Sequence, residues 1–135
     1  TPSGYTTLAL LSSDSFLVPS TAEPMAIHGI PKLLAVIHNL KKDKNLEKPK
    51  LLGLLLTKVQ PHRKVYRDAH QQLKEWDYQK YLFKEELKER TEISRAVSSN
   101  RKKAGNQFMI NMKNLLIQEE IKRISMEFSR KVENI

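Results

Sequence analysis

The chain has 135 residues, the length of one ordinary domain or of half a larger α/β domain, with no cysteine and a net charge of +9. Disulfides and thiolate chemistry are excluded, and no apolar run has the length of a membrane-spanning helix. The first forty residues hold one lysine, Lys32, against Asp14 and Glu23, so the positive excess lies wholly beyond them. Such a surface suits a polyanionic partner, nucleic acid or an anionic membrane face, and equally a plain lysine-rich exterior.

Residue 1 is Thr, and the apolar residues Leu8, Leu10 and Leu11 follow within a few positions without a basic lead-in. This start predicts no signal peptide, and a chain cut from something longer. Thr1 to Ser13 reads as a loop feeding a short helix. Ser15 to Val18 reads as a brief strand stopped by Pro19, which has no N–H to give a sheet ladder. Ile27, Ile30, Leu34 and Ile37 recur at helical spacing and predict a helix over 27–40, with Pro31 in its first turn or resetting it. The polar, basic segment 41–50, closed by Pro49, should end that helix.

Leu51 to Leu56 is then a nearly unbroken apolar run that passes into Thr57-Lys58 and stops at Pro61. Its length and its flanking helical patterns predict a strand buried on both faces, as in a parallel sheet. Ligands of such sheets sit beyond the carboxyl ends of the strands, so Thr57 to Arg63 is the first place to look for function. Pro61-His62-Arg63 opens a second helix, with Val65, Ala69, Leu73 and Trp76 on one stripe. Tyr81-Leu82-Phe83 is a third strand candidate, Ile93 and Ala96 mark further helical turns, and 98–105 is a loop. Phe108, Met112 and Leu115, then Ile117, Ile121, Ile124, Phe128, Val132 and Ile135, predict a long amphipathic helix over 106–135. Strand and helix alternate throughout, so the expected fold class is α/β: one region with a partial parallel sheet and flanking helices.

Three segments together resemble the carboxyl-terminal half of the ParA group of partition ATPases, which stands with MinD among the deviant P-loop NTPases. Thr1-Pro2-Ser3-Gly4 is similar to the D-T-P-P segment that follows the metal-site strand. Ser13-Asp14-Ser15-Phe16-Leu17-Val18-Pro19 with Glu23-Pro24-Met25-Ala26-Ile27-His28-Gly29-Ile30 resembles A-D-x-x-L-I-P-x-x-x-E-x-x-A-L-x-G-L. Leu52-Gly53-Leu54-Leu55-Leu56-Thr57-Lys58-Val59-Gln60-Pro61 resembles I-x-G-V-L-L-T-x-x-D-P. Residues 1–96 are covered, and the three segments stand in order with helix-length spacers.

The resemblance implies a parent protein that binds ATP and magnesium, dimerises in the ATP state, attaches to DNA without sequence preference, and answers to a ParB-like centromere-binding protein. It implies a cytoplasmic, nucleoid-associated location. The phosphate-binding loop and the metal-site Asp would precede Thr1, so these residues alone should not hydrolyse ATP. By position, Thr57 and Lys58 match the contacts near the adenine base, and Leu87 and Lys88 match the second base-side segment. One DNA-contacting arginine of the family falls at His62, with Arg63 next to it; a second falls at Glu92, flanked by Arg90 and Arg95. The family's aspartate at Gln60 and its proline at Lys88 are absent.

Arg63, Lys64 and Arg67 crowd one turn at a helix start, where positive charge opposes the macrodipole. Phosphates would neutralise the cluster; the alternative is a solvated helix face beside Asp68. Arg101-Lys102-Lys103 offers the same pair of readings. His62 and His70 could share a helix face, but no third ligand completes a metal set. Glu85, Glu86 and Glu89, interleaved with Lys84, Lys88 and Arg90, read as an exposed ion-paired face. The basic last helix fits core packing over the sheet or, as in a MinD-like positioning ATPase, an anionic membrane. A free-standing α/β interaction module without enzymatic activity is the third reading.

Overall fold

The computed structural model describes residues 3–90 and 115–135. The expected turns near Ile93 and Ala96, the loop 98–105 with its basic triplet, Arg95, and the first part of the last helix, with Phe108 and Met112, lie outside the described residues. Helix α1 (Gly4–Leu11) is capped by Ser3, whose hydroxyl oxygen accepts the Thr6 N–H at 3.2 Å. It is followed by β1 (Ser15–Ser20), α2 (Pro24–Asp43), β2 (Lys50–Val59) and α3 (Lys64–Glu75). A 3₁₀ turn (Gln79–Tyr81), a two-residue β3 (Leu87–Lys88) and α4 (Leu115–Glu133) complete the order.

The described sheet is parallel with order β1-β2-β3, so the fold is α/β with flanking helices. The apolar run is its middle strand. Leu54 and Leu56, two apart and therefore on one face, are wholly buried and join Val18, Ile27, Ile30, Ala69 and Leu73 in one core cluster. Each such leucine contributes about 1.5–3 kcal/mol of transfer free energy. On the other face the backbone of Gly53 is met by the Phe83 ring: a Cβ there would stand 2.6 Å from the ring edge and 2.9 Å from the Tyr81 carbonyl oxygen. Glycine is required at this position by close approach.

Several element boundaries differ from those expected. The strand does not stop at Pro19 but runs through it to Ser20, because β1 is an edge strand of the described sheet, where a missing donor is tolerated. Helix α2 begins three residues early, with Pro24 at its first position, and continues through Pro31. Burial of Ile27, Ile30 and Ile37 along one side outweighs the single ladder bond that Pro31 removes. Helix α3 begins at Lys64; Pro61 and His62 form the turn before it.

The expected strand at Tyr81–Phe83 is instead a 3₁₀ turn followed by one bridge, Leu54 to Leu82, with the Phe83 N–H donating to the Leu54 carbonyl at 2.8 Å. Pairing with the middle strand resumes at Leu87–Lys88. Of the expected stripe in α4, Ile117 is buried, Ile121 and Ile124 are half-buried, and Phe128, Val132 and Ile135 are exposed, while Glu120 and Glu127 are buried. The helix therefore meets the body with a face rotated toward its glutamates.

Candidate functional site at the carboxyl edge of the sheet

The strand ends gather at one edge. β1 leads into Thr21, Ala22 and Glu23; β2 into Gln60; β3 into Glu89. Thr57 and Leu87 are register partners, as are Val59 and Lys88, so the two segments matched to the base side lie next to each other. The Thr57 hydroxyl donates to the Ser20 carbonyl at 3.5 Å, tying the middle strand to the end of β1. The chain turns at Lys58, whose φ of 52° lies in the left-handed region that costs a residue with a Cβ about 1 kcal/mol or more. Strain of this kind persists where the surroundings fix it: here Glu89 N–H donates to Val59 O at 3.0 Å and Arg63 N–H to Gln60 O at 2.9 Å.

A cavity of about 290 Å³ opens between these ends. Lys58 and Arg63 give it positive charge, Glu23 and Glu89 negative charge, and Gln60 a carboxamide that donates to the Glu89 carboxylate. Val65 and Tyr66 form the wall on α3. Its size sits at the lower limit of small-molecule sites. A triphosphate and its metal need a row of backbone amides, a lysine and carboxylate ligands. Among the described residues no three His, Asp or Glu side chains gather where they could hold a metal ion.

The basic residues divide. His62, Arg63, Lys64 and Arg67 are all exposed around the start of α3, with no acidic side chain in its first turn. Arg90 is withdrawn: its Nη2 donates to Glu120 Oε2 at 3.0 Å and its side chain is 21% exposed. That bond commits one guanidinium nitrogen to Glu120, while the buried Nε has no hydrogen-bond partner among the described residues. Lys88 is exposed, and its backbone N–H is taken by Glu120 Oε1 at 2.6 Å.

The glutamates between 85 and 89 do not form the expected face of local ion pairs, because that stretch is turn and strand, not helix. Glu85 pairs with Arg123 of α4 at 3.2 Å. Glu86, its side chain 14% exposed, accepts the Tyr66 hydroxyl at 2.6 Å on one oxygen and meets His70 Nε2 at 2.9 Å with the other. Burial first, then the bond to Glu86 and its negative charge, push the Tyr66 phenol up to about 12. His70 is thus an α3 side chain committed to Glu86, and His62 stands apart in the preceding turn. His28 Nδ1 donates to the Pro24 carbonyl at 2.7 Å, and the ring meets that of Trp76 edge-on at 5.4 Å.

Sequence reasoning missed the two buried glutamates of α4. Glu127 accepts the backbone N–H groups of Lys84 and Glu85, both at 2.9 Å. Glu120 takes those of Lys88 and the Arg90 guanidinium. The signal was present: Ile117, Glu120, Ile124 and Glu127 fall at helical spacing, so the carboxylates share a face with the most buried isoleucine. Together they dock α4 on the segment that supplies β3.

No protein-family model and no curated protein matches the chain. Among the described residues no helix is long and apolar enough to cross a membrane.

Proposed function

We propose that these residues form the second half of an ATP-dependent DNA-partition ATPase, cytoplasmic and nucleoid-associated, that binds DNA without sequence preference as a nucleotide-bound dimer. One observation supports this reading above the others: the two segments matched to the base side are hydrogen-bonded neighbours, and the cavity at their exit is shared by the basic start of α3. A base held at Lys58 and Gln60 would lie beside Arg63, so nucleotide occupancy and DNA contact would bear on the same turn. The base-side residues are Thr57, Lys58, Leu87 and Lys88. The DNA side is carried by His62, Arg63, Lys64 and Arg67, with Arg90 held by Glu120. ATP and Mg would take their phosphate and metal ligands from residues preceding Thr1, and a ParB-like protein would trigger hydrolysis.

The test is binding of random-sequence duplex DNA by the whole protein, with and without ATP, over a range of salt. ATP-dependent binding whose affinity falls steeply with salt is expected, together with its loss in Arg63→Glu/Lys64→Glu. Binding unchanged by that double substitution overturns the assignment. A second reading, a membrane-associated positioning ATPase, is favoured by Leu116, Met126, Phe128 and Val132, which α4 leaves exposed among Lys122, Arg123 and Arg130. Sedimentation of the same protein with anionic vesicles, in the absence of DNA binding, would select it.

A further inference from the structure

The exposed side of α3 carries a feature that the base-side cavity does not use. A hollow of about 280 Å³ opens over Tyr66, Arg67, Lys74 and Gln79. A second, of about 500 Å³, continues from Tyr66 and Gln79 to Lys84 and to Lys131 of α4. Both are walled by Tyr66, His70 and Gln79, so they join into one trough leading from the start of α3 across to the last helix.

The charges in the trough are unequally committed. Glu86 spends both oxygens on Tyr66 and His70, and Glu127 spends both on backbone N–H groups. Lys80 is paired with Asp77 at 3.0 Å. Arg67, Lys74, Lys84 and Lys131 have no ion pair with any described residue. Lys131 holds its ammonium 5.1 Å from the centre of the Phe83 ring, against the wall of the trough. The trough therefore presents four cations without ion-pair partners among the described residues, while the oxygens of its two glutamates are already taken by hydrogen-bond donors. That is the electrostatic footprint of a polyphosphate backbone. A bilayer is the poorer match for the trough itself: the surface is concave, and the apolar ring that lines it, Phe83, is only 2% exposed.

We propose that this trough seats one strand of a DNA duplex, with Lys74, Lys84 and Lys131 as phosphate contacts that carry the footprint from Arg63, Lys64 and Arg67 across to α4. The proposal rests on the DNA reading above and adds contacts to it. Their side chains would position the duplex and carry no sequence information, in keeping with binding to any sequence.

Fluorescence anisotropy of the whole protein with a labelled random-sequence duplex, at several salt concentrations, tests it. Lys84→Gln/Lys131→Gln should lower the slope of log affinity against log salt by about 0.9 per lost contact, which at about 0.1 M salt is roughly eightfold in affinity for each. Lys74→Gln/Lys84→Gln, both exposed positions, should do the same and covers the case in which Lys131→Gln fails to fold. Slopes equal to wild type in both pairs, with binding lost in Arg63→Glu/Lys64→Glu, would overturn the trough and leave the DNA reading standing. Wild-type protein that ignores the duplex, whether or not it sediments with anionic vesicles, would overturn both.

Discussion

Replacing Glu127 by alanine should release α4 from the body, and its cost can be worked from the bonds it makes. The carboxylate is buried, 6% exposed, and receives two charge-assisted hydrogen bonds of 2.9 Å from consecutive backbone amides. Bonds to a charged partner contribute about 1.5–3 kcal/mol each, and partial rehydration of the freed Lys84 and Glu85 amides recovers some of that. A net loss of about 3 kcal/mol follows, which in a domain of this size lowers the unfolding midpoint by roughly 10 °C. Glu127→Gln keeps one acceptor oxygen but turns an NH₂ group toward the second amide, so it should lose at least half as much. Glu133→Gln, exposed on the same helix, should change nothing beyond about 0.5 kcal/mol. Thermal or urea unfolding measures the midpoints, and hydrogen exchange at the Lys84 and Glu85 amides reports the clamp directly. Unaltered exchange at those two amides in Glu127→Ala would refute the reasoning, because it would mean that the carboxylate does not hold them.

Gly53→Ala should destabilise by about 1–3 kcal/mol, since the added methyl meets both a ring edge and a backbone carbonyl that cannot swing aside; a midpoint at or above wild type in urea unfolding would show that Phe83 does not lie there. The Tyr66 phenol, raised to about 12 by burial and by Glu86, should ionise well above the ordinary tyrosine range in an ultraviolet pH titration. Because the folded state holds the neutral phenol more tightly than the unfolded chain does, the stabilisation is complete below about 10 and fades as pH climbs from there through about 12. Tyr66→Phe should abolish that late-titrating step, and a wild-type titration with no step near 12 would contradict the Tyr66–Glu86 bond.

Much of the architecture was legible because it follows from period and length. Leu51–Leu56 could be read as an interior strand from its apolar continuity alone, and its neighbours as helices from residues recurring every three or four positions. The turn after it could be picked from topology as the edge where the strand ends gather, and a cavity opens there. The third strand was misplaced for a physical reason: Tyr81-Leu82-Phe83 has strand composition, but its aromatic bulk is spent on packing Phe83 against Gly53, a contact between residues thirty apart. Pairing is deferred to Leu87–Lys88, whose composition says nothing of a strand. The glutamates of 85–89 were read as surface because their near neighbours are lysines, whereas their partners are Arg123, Tyr66, His70 and Gln60.

By itself, the order of residues determined the alternation of strand and helix, the middle strand, and the basic start of α3, since each depends on interactions within one element. Tertiary structure alone decided which charges are free. Arg90 was tied to Glu120, the acids of the α3 trough were satisfied from other elements, and Lys84 and Lys131 have no ion pair among the described residues. Periodicity reports which side of an element avoids water. Only the approach of a second element reveals which polar groups have already found their partners.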